Sequence, residues 1–430
     1  MASRTLVIGG LTSGSGKTTV TLGLLRALAD RGLDVGAAKT GPDYIDCAFL
    51  AAASRKPAIN LDSHAMPPAL LRQLAAGRQQ EMLVIEGVMG LFDGTHGGSG
   101  STAQLAASLG APVLLVLDTR HQGQTAAALA AGIETQLPDG TGLAGVVLNR
   151  IASPRHEELI REALEARHIA CFGSLASDPD ISVPSRHLGL VQAADLAARD
   201  ELEPKIAAAA QLVARSLDLE ALMMAMKPLV ADGPAPSGPP PGQRIAVAHD
   251  AAFGFAYTHM LEGWQTAGAE ILPFSPLSNA APDDAADFIF LPGGYPELHL
   301  PTLSSNAGFL ESLRAAADRG VRIYGECGGY MALGDVIIDA ESRAFPMAGL
   351  LTLETSFAQR KLHLGYRCLT PLADAWPGPD IVTGHEFHYT TALRADGQPL
   401  FTAQDAAGRD LGEMGLCAGS VSGSYAHVIA

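Results

Sequence analysis

The chain has 430 residues, 47% of them hydrophobic, and a formal net charge of −16. That length implies about two or three domains with sizeable cores, and the acidic balance argues against a nucleic-acid partner, whose phosphates need a basic surface. Apolar runs such as Pro112 to Leu117 are far too short to span a bilayer, and five scattered cysteines (Cys47, Cys171, Cys327, Cys368, Cys417) show neither zinc spacing nor a disulfide framework.

The N-terminus carries no basic-plus-apolar leader. With the cysteine usage, this sets the expectation of a reducing cytoplasm and no membrane partner.

The first element organises the rest. Thr5–Ile8 is a β-branched and aliphatic run that predicts a strand, and Val20 to Arg31 predicts a helix. Between them Ser13-Gly14-Ser15-Gly16-Lys17-Thr18-Thr19 forms a Gly/Ser-rich turn. Strand, glycine loop and helix together are the context of a phosphate-binding loop. Backbone N–H groups and the helix N-terminus offer positive partial charge to a polyphosphate. Lys17 would reach the terminal phosphates, and the Thr18 hydroxyl would ligate Mg²⁺. The spacing is one residue longer than the usual loop, because Leu11 stands where a glycine is required and Gly10 lies one position early.

Further strands are predicted at Val35–Ala38, Met82–Ile85, Val113–Leu117, Ala144–Leu148 and Cys171–Leu175. A helix is expected over Ser101–Leu109, with Ser101 and Gln104 as a capping box. Continuous apolar strands alternating with helices imply a doubly wound parallel sheet, with ligands at the carboxyl ends of its strands. Two motifs fall there. Lys39-Thr40-Gly41-Pro42-Asp43-Tyr44-Ile45-Asp46 follows the second strand, and Glu86-Gly87-Val88-Met89-Gly90-Leu91-Phe92-Asp93-Gly94 follows the third. Glu86 occupies the strand tip that carries the Mg²⁺ acid of phosphate-loop enzymes, so Thr18, Asp43 and Glu86 form a candidate metal set. Asp43 after a proline is also a residue that forms turns. Asn149, after the fifth strand, is a candidate reader of an adenine edge, and the polar loop Ser182–Gly189 a candidate ligand border.

A helix is expected over Glu203 to Met226. Five prolines in the twelve residues from Ala231 to Gly242 then exclude helix and central strand and mark a semi-stiff linker. The expected domains are therefore residues 1–228 and 243–430, joined by 229–242.

The second half opens a new α/β unit, with strands predicted at Arg244–Ala248, Glu270–Pro273, Phe288–Leu291 and Val321–Tyr324. Gly325-Glu326-Cys327-Gly328-Gly329 lies between strand and helix patterns, the cysteine counterpart of a nucleophile elbow. Such a turn should expose Cys327, and the helix N-terminus should favour its thiolate. Leu291-Pro292-Gly293-Gly294-Tyr295-Pro296-Glu297 ends another strand, so N–H groups of Gly294 and Gly328 are candidates for an oxyanion hole. A thiol nucleophile needs a base. His427 is the first choice, and the segment Gly384-His385-Glu386-Phe387-His388-Tyr389 the competitor.

These motifs together resemble the cobyrinic acid or hydrogenobyrinic acid a,c-diamide synthase family. G-L-T-S-G-S-G-K-T-T, K-T-G-P-D-Y-I-D and E-G-V-M-G-L-F-D-G are similar to its dethiobiotin synthetase-like ATP domain. A-F-G-F-A-Y, L-P-G-G-Y-P-E, G-E-C-G-G-Y and G-H-E-F-H-Y resemble its class I-type glutamine amidotransferase domain. The resemblance implies an N-terminal phosphate-loop NTPase-like doubly wound sheet and a C-terminal flavodoxin-like sheet. It further implies a carbon–nitrogen ligase of cobalamin biosynthesis, using ATP, Mg²⁺ and glutamine. Two corrin carboxylates, a and c, would be activated as acyl phosphates and amidated, and assembly as a homodimer is compatible with this. By motif, Lys17 and the loop amides bind phosphates, Lys39, Tyr44, Asp46 and Asp93 face the corrin, Cys327 forms the glutamyl thioester and His427 is its base. Where class I enzymes place a glutamate two residues after the histidine, this chain has Ile429, and Glu386 is a substitute on residue type alone. An acidic chain that binds a polycarboxylate should carry a local basic patch, for which Arg186, Arg360, Lys361 and Arg367 are candidates. Cobyric acid synthase, another tetrapyrrole amidotransferase and a phosphate-loop ATPase switch are the alternatives.

Overall fold

The structure is a computed structural model that describes residues 3–78, 80–177, 196, 200–229, 238–372, 376 and 378–430. The chain divides into two units, Met1–Pro236 and Ser237–Ala430. Most of the proline-rich linker, the loop 182–189 and Arg186 lie outside the described residues.

The first unit is built on a sheet ordered β3-β2-β4-β1-β5-β6-β7. Its strands are β1 (Arg4–Gly10), β2 (Val35–Thr40), β3 (Ile59–Leu61), β4 (Met82–Glu86), β5 (Val113–Asp118), β6 (Leu143–Ile151) and β7 (Cys171–Ala176). Neighbours along this path run parallel. A two-residue strand β8 (Lys227–Pro228) lies antiparallel on β1. The helices are α1 (Lys17–Asp30), α2 (Tyr44–Ser54), α3 (Pro68–Gly77), α4 (Thr102–Leu109), α5 (Thr125–Gln136), α6 (Pro154–Glu165), α7 (Leu202–Ser216) and α8 (Leu219–Ala225). The apolar runs of β1, β4 and β5 are buried throughout or nearly so, as strands covered on both faces must be. Chain order reverses around β1, so its carboxyl end is the crevice where such sheets bind ligands.

All six strands expected in this half are present. Short β3 adds an edge that three apolar residues do not announce. Ser101 caps α4 by accepting from the Gln104 N–H, but the Gln104 side chain accepts from Gly100 instead of closing the box. The single helix expected over 203–226 is two. Leu217 bridges to Gly173, and the Asp218 carboxylate caps the new start by accepting from the Ala221 N–H.

The second unit contains a ten-stranded sheet ordered β10-β9-β11-β12-β21-β20-β19-β16-β17-β22. Its parallel half comprises β9 (Arg244–Ala248), β10 (Glu270–Phe274), β11 (Phe288–Leu291), β12 (Arg322–Glu326) and β21 (Val421–Ser424). The helices α9 (Thr258–Thr266), α10 (Leu300–Ser305), α11 (Ala307–Asp318) and α12 (Gly328–Leu333) belong to this half. Its antiparallel half comprises β16 (His363–Pro371), β17 (Val382–His388), β19 (Gln398–Asp405), β20 (Asp410–Ala418) and β22 (Ala426–Val428). A separate four-stranded sheet joins β13 (Val336–Ile338), β14 (Ala344–Pro346), β15 (Thr352–Ser356) and β18 (Thr391–Asp396). No helix among the described residues is long and apolar enough to cross a membrane.

Candidate active sites

The loop after β1 is held from behind by the tips of β5 and β6. Gly16 adopts φ +98°, and a Cβ there would stand 2.0 Å from Asn149 Nδ2, so only glycine fits. Asn149 is buried and donates to the Ser15 carbonyl at 2.8 Å. Arg150 donates to the Gly14 carbonyl at 2.8 Å and pairs with Asp118 at 2.6 Å. One N–H of the Asn149 amide is thus spent on the loop, and the amide oxygen keeps the chemistry to meet an adenine amine.

Lys17 opens α1, and its ammonium donates to the carbonyls of Thr12 (3.1 Å) and Met89. It therefore ties the loop to the connection after β4. Burial, with Lys39 nearby, lowers its pKa, which makes an anionic partner the more favourable company.

Strand register explains the acid cluster beneath. Lys39 on β2 is the register partner of Glu86 on β4, which is itself the partner of Ile8 on β1. The Lys39 ammonium donates to Glu86 Oε1 at 3.0 Å and to Asp46 Oδ2 at 2.5 Å. The Thr18 hydroxyl donates to the same Glu86 oxygen at 2.6 Å. Burial alone would lower the Lys39 pKa, but the carboxylates of Glu86, Asp46 and Asp43 reverse the sign and raise it. Burial raises Glu86, partly offset by Lys39, and burial with Asp46 lifts Asp43 to about 7.

Glu86 is fully buried, and its Oε2 has no hydrogen-bond partner among the described residues. An orphaned buried carboxylate oxygen beside a threonine hydroxyl fits a hard divalent cation. Asp43 Oδ1 accepts from the Ile45 and Asp46 N–H groups and caps α2, so that oxygen serves the backbone. Tyr44 is buried at the helix start. Asp93 is exposed and braces its own loop by accepting from the Gly90 N–H. Thr18, Lys39, Asp43, Asp46 and Glu86 thus form one cluster next to Lys17, with Asp93 on the loop above it.

Lys39→Met should strand Glu86 and Asp46 and destabilise the first unit by about 3–5 kcal/mol. Urea unfolding followed by circular dichroism reads this as a lowered midpoint, and an unchanged midpoint would mean that the pair adds no net stability.

In the second unit the elbow is formed. Cys327 has φ +46° and ψ −102°, a strained conformation for a residue with a side chain. Gly329 makes the turn packable, because a Cβ there would lie 1.9 Å from the Leu291 carbonyl oxygen. A Cβ on Gly328 would stand 3.0 Å from the Gly294 nitrogen, so the two proposed oxyanion donors are neighbours. Cys327 donates its N–H to the Ser424 carbonyl at 2.8 Å, three residues before His427.

Two expectations are corrected here. Cys327 is only 4% exposed, since the β17 chain passes over it with the Phe387 carbonyl 4.0 Å from Sγ. Its pKa is raised, because burial and the Glu297 carboxylate outweigh the Gly328 N–H. The resting group is a thiol, and the six-residue helix after it does not reverse that.

His427 is fully buried, and burial, then His385, depresses its pKa to about 3. It is thus a neutral imidazole, the form a general base requires. The competitor segment is close: His385 is the direct partner of His427 across β17 and β22. Successive strand residues point to opposite faces, so Glu386 faces away from His427. Its carboxylate is instead held by Arg367 at 2.7 Å, and His388 Nε2 lies 2.8 Å from its other oxygen. Glu386 is therefore not the orienting group for His427. The same pair removes Arg367 from the basic patch, while Arg360 and Lys361 stay exposed.

The acid on the His427 side is Glu326, which the sequence reading passed over. Its Oε2 lies 3.9 Å from His427 Nδ1, and burial lifts its pKa to about 8. The signal was available: like Glu86, it is a lone carboxylate ending an apolar strand.

Residues 6–191 match the CobQ/CobB/MinD/ParA nucleotide binding domain, and residues 244–430 match the CobB/CobQ-like glutamine amidotransferase domain. A hydrogenobyrinate a,c-diamide synthase of Rhizobium meliloti is 49% identical over 99% of this chain and 98% of its own length. The like-named proteins of Rhodobacter capsulatus and Brucella anthropi are 48% and 50% identical, over 99% and 97% of this chain and 98% and 96% of their own. At that identity, sustained through both units, the chain belongs to the hydrogenobyrinate a,c-diamide synthase family.

Proposed function

We propose that this chain amidates the a and c side-chain carboxylates of hydrogenobyrinic acid, using ATP and glutamine, in cobalamin biosynthesis. One observation carries the reading: a strained cysteine elbow follows a phosphate loop on a chain matched along its length by synthases of that name. A phosphate-loop switch would have no use for the elbow.

Loop amides from Ser13 to Thr19 and the Lys17 ammonium hold the ATP phosphates, and Asn149 fixes the loop and meets the base. A corrin carboxylate oxygen attacks the γ-phosphoryl group, giving an acyl phosphate and ADP. Ammonia then attacks the acyl carbon and inorganic phosphate leaves, and the cycle repeats on the second carboxylate. Thr18 and Glu86, with Asp43, would hold Mg²⁺, which when bound neutralises phosphoryl charge. Lys39 and Asp46 set the charge around Glu86, with Tyr44 and Asp93 toward the corrin.

In the second unit Cys327 Sγ attacks the glutamine amide carbon, and the N–H groups of Gly294 and Gly328 receive the developing oxyanion. His427 takes the thiol proton and returns it to the departing ammonia, and water hydrolyses the thioester. Making ammonia on the chain that consumes it raises its effective concentration. We place this activity in the cytoplasm, in a homodimer that the molar mass in solution would reveal.

Arg360 and Lys361 are the exposed cations proposed to meet corrin carboxylates. Alanine at either should raise the corrin KM several-fold and leave the ATP KM unchanged, since a surface cation contributes about 1 kcal/mol. Titration of both ligands checks this, and unaltered corrin affinity in both variants would remove the patch.

Incubating the protein with ATP, glutamine and either hydrogenobyrinic acid or its cobalt complex, then counting amides by mass spectrometry, tests the whole reading. Two amides on the cobalt-free acid are expected. No amide on either acid, or further amides beyond two, would overturn it.

A further inference from the structure

A buried imidazole that must accept a thiol proton needs a partner that fixes its ring and offsets the imidazolium charge. Position 429, two residues on, is an isoleucine, and the Glu386 carboxylate is held by Arg367 and His388 on the other face of β17. Glu326 has the required placement. It ends β12, directly before the nucleophile, and both it and His427 are buried almost completely. One oxygen, Oε1, accepts from the Val428 N–H at 3.0 Å. That bond ties the carboxylate to the residue after His427, so it reports the position of β22 itself. The other oxygen, Oε2, is the one 3.9 Å from Nδ1. On the ring's other flank, a Cβ at Gly293 would stand 2.1 Å from Cε1, so the imidazole rests on bare backbone. The ring is thereby confined between the paired-glycine turn and the Glu326 carboxylate.

We propose that Glu326 is the positioning residue of the glutamine-hydrolysing centre, steering His427 through Nδ1. This rests on the amidotransferase reading of the second unit. Burial disfavours the charged form of Glu326 while the imidazole is neutral; an imidazolium 3.9 Å away opposes that shift, so the two charges stabilise each other only when His427 takes the proton. The pairing therefore favours the transition state over the resting site, which is the condition for raising kcat and not merely binding. A carboxylate buried only for packing would be costly and replaceable by an amide of the same shape.

Glu326→Gln keeps the shape and an acceptor for the Val428 N–H. It should lower kcat for glutamine-dependent amidation by about 10²-fold, with the glutamine KM within about two-fold. The ammonium-driven reaction of the same preparation, which uses neither Cys327 nor His427, serves as the fold control. Glu326→Asp, which keeps the charge, should recover at least part of the lost kcat. A kcat within about three-fold of wild type in Glu326→Gln would overturn the proposal. So would a Glu326→Asp variant no better than the amide. Cys327→Ser, assayed alongside, separates the two failures. If it too retains glutamine use, the amidotransferase reading falls; if it alone loses glutamine use, only the role of Glu326 does.

Discussion

Lys17→Ala should abolish corrin amidation with glutamine and with ammonium alike, by a factor on the order of 10³. The ammonium of Lys17 sits at the mouth of α1 and bonds two carbonyls across the loop, so it is placed to follow phosphate charge as it moves during transfer. A loss on the order of 10³ corresponds to about 4 kcal/mol of transition-state stabilisation, within the range of one preorganised charged donor. Both nitrogen sources depend on the acyl phosphate, so both must fail together. ADP release and amide formation, measured under each source, should fall in parallel. Retained activity with ammonium would separate Lys17 from carboxylate activation. Glu86→Ala should behave in the same way, because it removes the buried oxygen that both Thr18 and Lys39 address.

The second large effect divides the nitrogen sources. Cys327→Ser should lose glutamine-dependent amidation to the background and keep the rate at high ammonium. Serine preserves the size and the strained turn, but its hydroxyl is a far weaker nucleophile. The buried, raised thiol makes the dependence on His427 strong, since little thiolate forms in the resting site. Equal loss with both sources in a folded variant would mean that Cys327 serves structure, not glutamine chemistry.

The first unit was legible because its information is local. Thr5–Ile8, the Gly/Ser turn and Lys17 are contiguous, and buried parallel strands read as apolar runs. What was hidden depends on register. Lys39 and Glu86 are 47 residues apart and meet only because β2 pairs with β4. That Asp43 Oδ1 caps α2 was hidden too, because the Pro42-Asp43 pair reads as a turn and the helix it starts is not announced.

The second unit was half legible. Its parallel strands β9 to β12 were found, but the strands from 336 onward, mostly antiparallel, were not. β18 is mostly exposed, and β20 carries glycines at 412 and 415 with positive φ, so neither shows clean alternation. The Cys327 elbow could be read from its small neighbours. Its burial could not, because the covering chain comes from β17, sixty residues later.

The most direct measurement follows the nitrogen. Hydrogenobyrinic acid, ATP and glutamine labelled with ¹⁵N in the side-chain amide are incubated with the protein in the presence of unlabelled ammonium, and the corrin product is examined by mass spectrometry. Two amides that both carry ¹⁵N are predicted for the wild type, and two unlabelled amides for Cys327→Ser. A wild-type product whose amides derive from the unlabelled ammonium would contradict the coupling of glutamine hydrolysis to carboxylate activation.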